Sequence, residues 1–330
     1  MSETVRAWRV HALGEPAEVM RLDEVPAPQP SAGEVVVEVE ATGLNFPDVL
    51  LCRGLYQERP ALPFTLGLEI AGRVVAAGPG AKVTPGQRVA AVATPPRGGL
   101  AERICVPGGD VLPIPETMSP VTAAAMVVTY GTGHLALHRR AALRPGETLL
   151  VHGGAGGVGS AAIQLGRAAG ARVIATATGA ERVETCRRLG ADVALDNATT
   201  DFVDGVKELT RGRGADVVYD PVGGDVFDRS RRCVAFEGRI LVIGFAGGRI
   251  AEAPANHVLV KNYSVIGVHW GLYRRLLPHV VADIHERLVD LHREGLIDPL
   301  VGARLPFAEA ARGVTMLAQR QAMGKLVVVP

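Results

Sequence analysis

The stretch Leu149-Leu-Val-His-Gly-Gly-Ala-Gly-Gly-Val-Gly159 carries the spacing G-x-G-x-x-G at Gly154, Gly156 and Gly159. Its setting gives the pattern meaning. It follows a strand-like run, Thr148–Val151, and opens Gly157–Gly170, where Val158, Ala161, Ala162, Leu165 and Ala168 share one helical face. A turn of this kind suits a dinucleotide. Gly154 permits the tight turn, Gly156 lets the backbone approach a pyrophosphate, and Gly159 lets the helix pack on the strand. The amides from Gly154 through Ala155, Gly156, Gly157 and Val158 to Gly159 then meet phosphate at the positive end of the helix. A glycine-rich turn without a ligand is the bland alternative, and the β-α repeats that follow disfavour it.

The next strand bears on which dinucleotide. A site for NAD usually places Asp or Glu about 20 residues beyond the fingerprint, to hold the ribose diol. Here Ala175-Thr-Ala-Thr178 has no acid. The hydroxyls of Thr176 and Thr178 tolerate a 2′-phosphate, and Arg182 can offer it a bidentate fork. NADPH is therefore the expected cofactor, although Glu181 beside the arginine tempers a strict preference. Asn197, at the end of the third strand of this series, is a further candidate for the adenosine ribose or phosphate.

These residues need a scaffold. From Ala7 to about Val111 the chain reads as short strands, among them Val35–Val39, Ile70–Ala77 and Arg88–Ala93, broken by Gly and Pro. Val121–Ala142 is helical. From Thr148 on, strands (148–151, 172–176, 192–195, 216–219, 239–243) alternate with helices (157–170, 181–189, 202–210, 227–236), which argues for a parallel sheet with right-handed crossovers. The alternation stops near Val268. Val280–Glu294 reads as an amphipathic helix, and strands at 301–304 and 326–329 bracket a helical 307–320. The architecture expected is α/β: a β domain of residues 1–122 and 271–330, and a doubly wound domain of residues 123–270, with the active site in the cleft between them.

With 330 residues, 48% of them hydrophobic, the chain can bury a core for two domains. Its net charge of +1 gives no sign of a nucleic-acid or anionic-membrane partner. Met1–Arg6 lacks the apolar core of a signal peptide, and no apolar run approaches the ~20 residues of a membrane span, so a cytoplasmic location is expected. The cysteines, Cys52, Cys105, Cys186 and Cys233, form no C-x-x-C, so neither a disulfide framework nor a zinc cluster is expected.

Dispersed motifs add specificity: Gly43-Leu-Asn-Phe-Pro-Asp-Val-Leu50, Gly67-Leu-Glu-Ile-Ala-Gly-Arg-Val74, His152–Gly159, Asp220-Pro-Val-Gly-Gly224, Ile243-Gly-Phe-Ala246 and Gly324-Lys325. In these the chain resembles the medium-chain dehydrogenase/reductase superfamily and, within it, the quinone oxidoreductase (ζ-crystallin-like) family, over nearly its whole length. The resemblance implies a GroES-like β domain in two chain segments around a Rossmann domain, and a homodimer or homotetramer. Tyr263–Val268 is similar to the strand that often extends the sheet across such a dimer.

The resemblance also implies roles. Zinc-dependent relatives place a Cys, the His of a G-H-E motif and a further Cys or Asp where this chain has Asn45, Leu68 and the neighbourhood of Ala125. Glu69 alone survives, and one carboxylate cannot make a site that needs three protein ligands, so no metal is expected. Asn45, Phe46, Asp48 and Tyr56 match residues that line the nicotinamide and substrate pocket. Tyr56 is the candidate donor to the oxygen that gains charge, although Leu50 stands where some relatives have a second Tyr. Asn45 can bond the cofactor or a substrate carbonyl, and Asp48 can orient Asn45. Thr129 matches a residue near the carboxamide, Gly223, Gly244, Phe245 and Ala246 match the rim of the later strands, and Lys325 matches a lysine that reaches the cofactor. The activity implied is an NADPH:quinone reductase of the EC 1.6.5 type, passing hydride to a quinone or conjugated enone. The alternatives are an enoyl-thioester or 2-haloacrylate reductase, with a basic mouth from arginines near 139–140, 229–232 or 274–275, and a non-catalytic NADPH-binding or RNA-binding protein. His152 is expected to be a packed histidine.

Overall fold

The computed structural model describes residues 3–330, which form two compact units. The first holds the described chain up to Val128, with Leu277–His285 and Pro299–Pro330; the second holds Thr129–Leu276 and Glu286–Asp298. The units part at Val128/Thr129 and Leu276/Leu277, a few residues beyond the 122/123 and 270/271 expected, and residues 286–298 go with the second unit. The reason is local. Tyr130 Oη and Gln164 Nε2 both donate to the Asp298 carbonyl, which ties that segment to the second unit.

The first unit contributes β1 (Thr4–Val10), β2 (Met20–Pro26), β3 (Glu34–Leu44), β4 (Phe64–Thr65), β5 (Glu69–Ala77), β6 (Arg88–Val92), β7 (Arg103–Pro107) and β8 (Val111–Pro113). The second contributes β9 (Thr148–Val151), β10 (Arg172–Ala177), β11 (Val193–Asp196), β12 (Ala215–Asp220), β13 (Val234–Val242) and β14 (Ser264–Gly267), and the chain returns to the first with β15 (Val301–Pro306) and β16 (Lys325–Val329).

In the first unit β3 is the spine. It pairs antiparallel with β16 near its end, with β5 along its length and with β7 near its start. The full order is β15-β16-β3-β5-β6-β8, and a smaller sheet, β2-β1-β4, lies in the same unit. Val35, Val37, Ile70, Val74, Val89 and Ile104 fill one core; Leu44, Val49, Phe64, Leu66, Phe307 and Leu326 fill another. The hairpin of β1 and β2 was not read from the sequence.

The second unit is one six-stranded parallel sheet in the order β11-β10-β9-β12-β13-β14. Read from β9 outward, the order reverses beside β9. Ligands bind at such a switch point, outside the carboxyl ends of the strands. The helix expected over Phe227–Phe236 stops at Ser230, and Val234–Phe236 already belong to β13, which bends at Glu237, a non-glycine residue at φ 56°.

Candidate functional site

The glycine turn lies between β9 and the helix Gly157–Ala168. The left-handed residue is Gly153 (φ 61°), one position before the residue expected to make the turn. Gly154 has a packing role instead. A Cβ there would lie 2.7 Å from Cys186 Sγ, and its amide donates to the Thr176 carbonyl at 2.9 Å. Gly159 is tighter: a Cβ would sit 2.2 Å from the Gly153 carbonyl oxygen. Gly156 is different. It precedes the helix, and a Cβ on it would meet only the Gly153 oxygen, at 3.3 Å. Gly156, Gly157 and Val158 are half-buried, so this side of the turn faces outward with helix amides exposed to a ligand. A turn of this shape has room for a pyrophosphate, so it fits a dinucleotide.

At the end of β10, Thr178 is exposed and Gly179 leads into the helix Ala180–Arg188, with Arg182 half-buried in its first turn. Asn197 is exposed just beyond β11. Asp196, not singled out from the sequence, organises this corner: one carboxylate oxygen accepts from the amides of Gly179 (3.0 Å) and Ala198 (2.9 Å). Those bonds hold its carboxyl below the usual range. The acid is thus turned to the backbone of the turns that present Thr178 and Asn197.

Asp220 plays a similar part at the end of β12. It is buried, and its Oδ1 accepts from the amides of Val222 (2.8 Å) and Gly223 (2.9 Å) while burial raises its pKa. That fixes the Pro221–Gly224 turn. The next turn locks onto it, since Ala246 donates to Pro221 O and Gly247 to Val222 O. Gly223, Gly244, Phe245 and Ala246 are therefore brought together on one rim of the sheet. Thr129 is buried at the start of the helix Thr129–His134. His152 is a packed histidine: both ring nitrogens are bonded, to Thr176 Oγ1 at 3.0 Å and Ser230 Oγ at 2.8 Å, and burial drives its pKa down to about 3. The basic mouth weighed for a thioester is partly committed: Arg229 pairs with Asp201, and Arg231 with Asp228.

The first unit assembles the other set. Register places Gly43 opposite Glu69 and Leu44 opposite Leu326, so one end of β16-β3-β5 gathers Lys325, Asn45 and Glu69. Lys325 donates to the Leu44 carbonyl (2.8 Å), Asn45 Oδ1 (2.8 Å) and Glu69 Oε1. Asn45 Nδ2 donates to Glu69 Oε1 (2.9 Å) and the Gly43 carbonyl (3.2 Å), and Glu69 Oε2 accepts from the Val128 amide at 2.7 Å. The amide orientation follows from the lysine, because an ammonium only donates and must face the oxygen. Asp48 closes the set. It accepts from the Asn45 amide (2.8 Å) and the Gly67 amide (3.0 Å) at the start of the helix Phe46–Cys52. Burial lifts its pKa to about 6, against the opposing pull of those two bonds and of Lys325.

Lys325 is thus an interior group with its three protons engaged within the first unit, which differs from the lysine expected to reach the cofactor. Phe46 and Tyr56 are partly buried and pack on the core around Val49 and Phe64. Among the described residues no group of three or more His, Cys, Asp or Glu side chains is arranged to hold a metal ion. The donor set around Asn45 does not fit zinc either: an amide, a carboxylate already paired with an ammonium, and Ala125 and Leu68, which have no donor side chain.

Two family models match: the alcohol dehydrogenase GroES-like domain over residues 31–116 and the zinc-binding dehydrogenase over residues 157–286. The chain is 37% identical to a quinone oxidoreductase-like protein 2 homolog of Nematostella vectensis, over 99% of this chain and 89% of that one. It belongs to the quinone oxidoreductase family. Solved structures of this family agree with the fold. A mycobacterial protein complexed with NADPH matches with a TM-score of 0.92 at 32% identity, over 99% of this chain and 100% of that one. The Escherichia coli quinone oxidoreductase complexed with NADPH matches with a TM-score of 0.92 at 29% identity, over 98% and 100%. As a quinone oxidoreductase family member the chain is an oxidoreductase on the medium-chain dehydrogenase/reductase scaffold. No helix of the described residues is long and apolar enough to cross a membrane.

Proposed function

We propose that this protein is an NADPH-dependent reductase of quinones or conjugated carbonyl compounds that works without a metal. Bound NADPH supplies the hydride. The outward face of the Gly156–Val158 turn suits the pyrophosphate, and Arg182, with Thr178 beside it, suits the 2′-phosphate, an anion recognised by a guanidinium fork. Thr129, Asn197, Gly223, Gly244, Phe245 and Ala246 complete the cofactor contacts. NADPH-complexed relatives of the same fold support this assignment.

One observation carries the substrate class: the polar side chains of Asn45, Asp48, Glu69 and Lys325 bond one another and the nearby backbone. No strong base is left there to take a proton from an unactivated alcohol. A soft electrophile needs no such base, only close placement and a donor where negative charge gathers. Tyr56 is assigned as that donor, Phe46 as a pocket wall, and Asn45, through the remaining lone pair of Oδ1, as an acceptor for the cofactor or a substrate hydroxyl. Asp48 is a positioning residue, because it holds Asn45 by the backbone.

The second unit also offers an edge. β14 pairs only with β13, and Leu259, Val260 and Phe236 stand beside it 76%, 78% and 71% exposed. We take the occupant to be a second copy of this chain, whose β14 would pair antiparallel with this one across a twofold axis and cover these side chains. An unpaired strand edge is a liability that pairing removes.

The test is oxidation of NADPH and NADH, side by side, against quinones, enones and crotonyl-type thioesters, with and without a chelator. Chelator-insensitive NADPH oxidation with quinones or enones is expected. A strong NADH preference would refute the role of Arg182, and loss of activity with chelator would refute the metal-free reading. Turnover confined to thioesters would move the substrate class to enoyl reduction, and NADPH binding without turnover would favour a non-catalytic role.

A further inference from the structure

Glu69 and Lys325 face each other with side chains 0% and 4% exposed. A buried carboxylate costs several kcal/mol in lost hydration, and is tolerated only when a cation and further hydrogen bonds answer it. Here the answer comes from the chain itself. Gly324, at φ 64°, turns the backbone into β16, where a Cβ would strike the Leu300 carbonyl at 2.2 Å. That turn delivers Lys325 beside the end of β3. Gly43 makes the matching room: a Cβ there would lie 2.2 Å from the Ala124 carbonyl and 2.8 Å from Glu69.

The acceptors gathered around the ammonium are all oxygens: one main-chain carbonyl, one amide and one carboxylate. Their formal charge is −1, which one ammonium neutralises. Zinc favours thiolate and imidazole nitrogen, whereas carbonyl and carboxylate oxygens favour hard cations. Of the cysteines, Cys52 lies closest in sequence, and its thiol is buried and pushed up to about 12, far from a ready thiolate.

We propose that Lys325 is a built-in monovalent cation whose ammonium, seated among Leu44 O, Asn45 Oδ1 and Glu69 Oε1, neutralises Glu69, fixes the Asn45 amide and takes the place of any bound metal there. The oxygens it leaves on removal form a site for a small monocation, with ammonium or methylammonium the closest substitute and zinc excluded. This reading does not depend on which acceptor the enzyme reduces.

The chain has four lysines, Lys82, Lys207, Lys261 and Lys325, so each can be followed separately. The first experiment is reductive methylation of the native protein with ¹³C-formaldehyde, read by NMR and mass spectrometry. Lys325 should stay unmodified until the protein is denatured; modification at the rate of Lys82 would overturn the proposal. The second compares the wild type with Lys325→Ala in ammonium, methylammonium and choline chlorides at equal ionic strength. The variant should melt on the order of 10 °C lower in choline, and ammonium or methylammonium should restore a good part of that loss in the variant but not shift the wild type. Equal melting in all three salts would overturn the cradle. If Lys325→Ala does not fold, the double variant Glu69→Gln/Lys325→Met, which removes both charges, should fold better than Lys325→Met alone; a double variant worse than the single would refute the charge pairing. Metal analysis of purified wild type should find well below one zinc per chain, and a stoichiometric zinc at this site would overturn the proposal outright.

Discussion

Arg182 is the residue proposed to choose between two cofactors that differ by one phosphate. It sits in the first turn of the helix Ala180–Arg188, where Asp196 is turned to the backbone and Glu181 is the one acid of that turn. A charge-assisted contact of this type contributes roughly 1.5–3 kcal/mol. Arg182→Gln should therefore raise the KM for NADPH on the order of tenfold to a hundredfold and leave the KM for NADH within about twofold. A parallel rise for both cofactors would show that the arginine has only a structural part. His152 makes a different prediction. Burial, helped by Arg229, holds its pKa near 3 in the folded state against 6.5 for a free histidine. Folding thus favours the neutral ring. The stability this gives is complete above pH 6.5 and is lost, at about 1.4 kcal/mol per pH unit, as pH falls toward 3. Denaturant unfolding of the wild type should steepen between pH 6 and 4 relative to His152→Asn; identical pH slopes would mean that the ring is not held neutral.

The elements show why two glycines three positions apart should fail differently. A Cβ at Gly159 would stand 2.2 Å from the Gly153 carbonyl oxygen, whereas one at Gly156 would stand 3.3 Å from it, a conflict that a small shift relieves. Gly159→Ala should lower the melting temperature by several degrees, because the helix must back away from the turn. Gly156→Ala should change melting little yet weaken NADPH binding by roughly tenfold, since the added methyl stands where the pyrophosphate approaches; isothermal titration and thermal unfolding together separate the two effects. This part of the molecule was legible in the sequence because it is local. Each β-α unit carries its own periodicity, and the fingerprint lies within one turn. What was missed depends on contacts distant in sequence. Lys325 meets Glu69 across 256 residues, so Gly324-Lys325 could be recognised as a motif but not as the partner of a buried acid. Asp196 and Asp220 look like ordinary strand-end acids until their bonds to backbone amides are seen. The end of the Phe227–Phe236 run misled for another reason. Val234–Phe236 continue an apolar pattern that suits either element, and the bend at Glu237, which follows them, is what marks them as part of β13.

At the scale of the whole molecule the unpaired edge of β14 is the feature without an internal explanation. The helix Ala255–Lys261 has no buried residue, and its Leu259 and Val260 point away from the unit's own core. The Glu237 amide bonds the Asn262 carbonyl, which brings exposed Phe236 to the same corner. Three large apolar side chains beside a free strand edge are the pattern of an interface, and a second copy of the chain can satisfy it by a twofold operation that pairs β14 with its counterpart. Val260→Asp places a charge in the middle of this surface, at a side chain that is 78% exposed. The wild type should sediment as a dimer or a larger even assembly at micromolar concentration, and Val260→Asp should sediment as a monomer with its circular dichroism unchanged. If the variant keeps the wild-type mass, the chains associate through another face. A wild type that is monomeric at high concentration would instead leave β14 as a bare edge, protected by its short length and by twist alone.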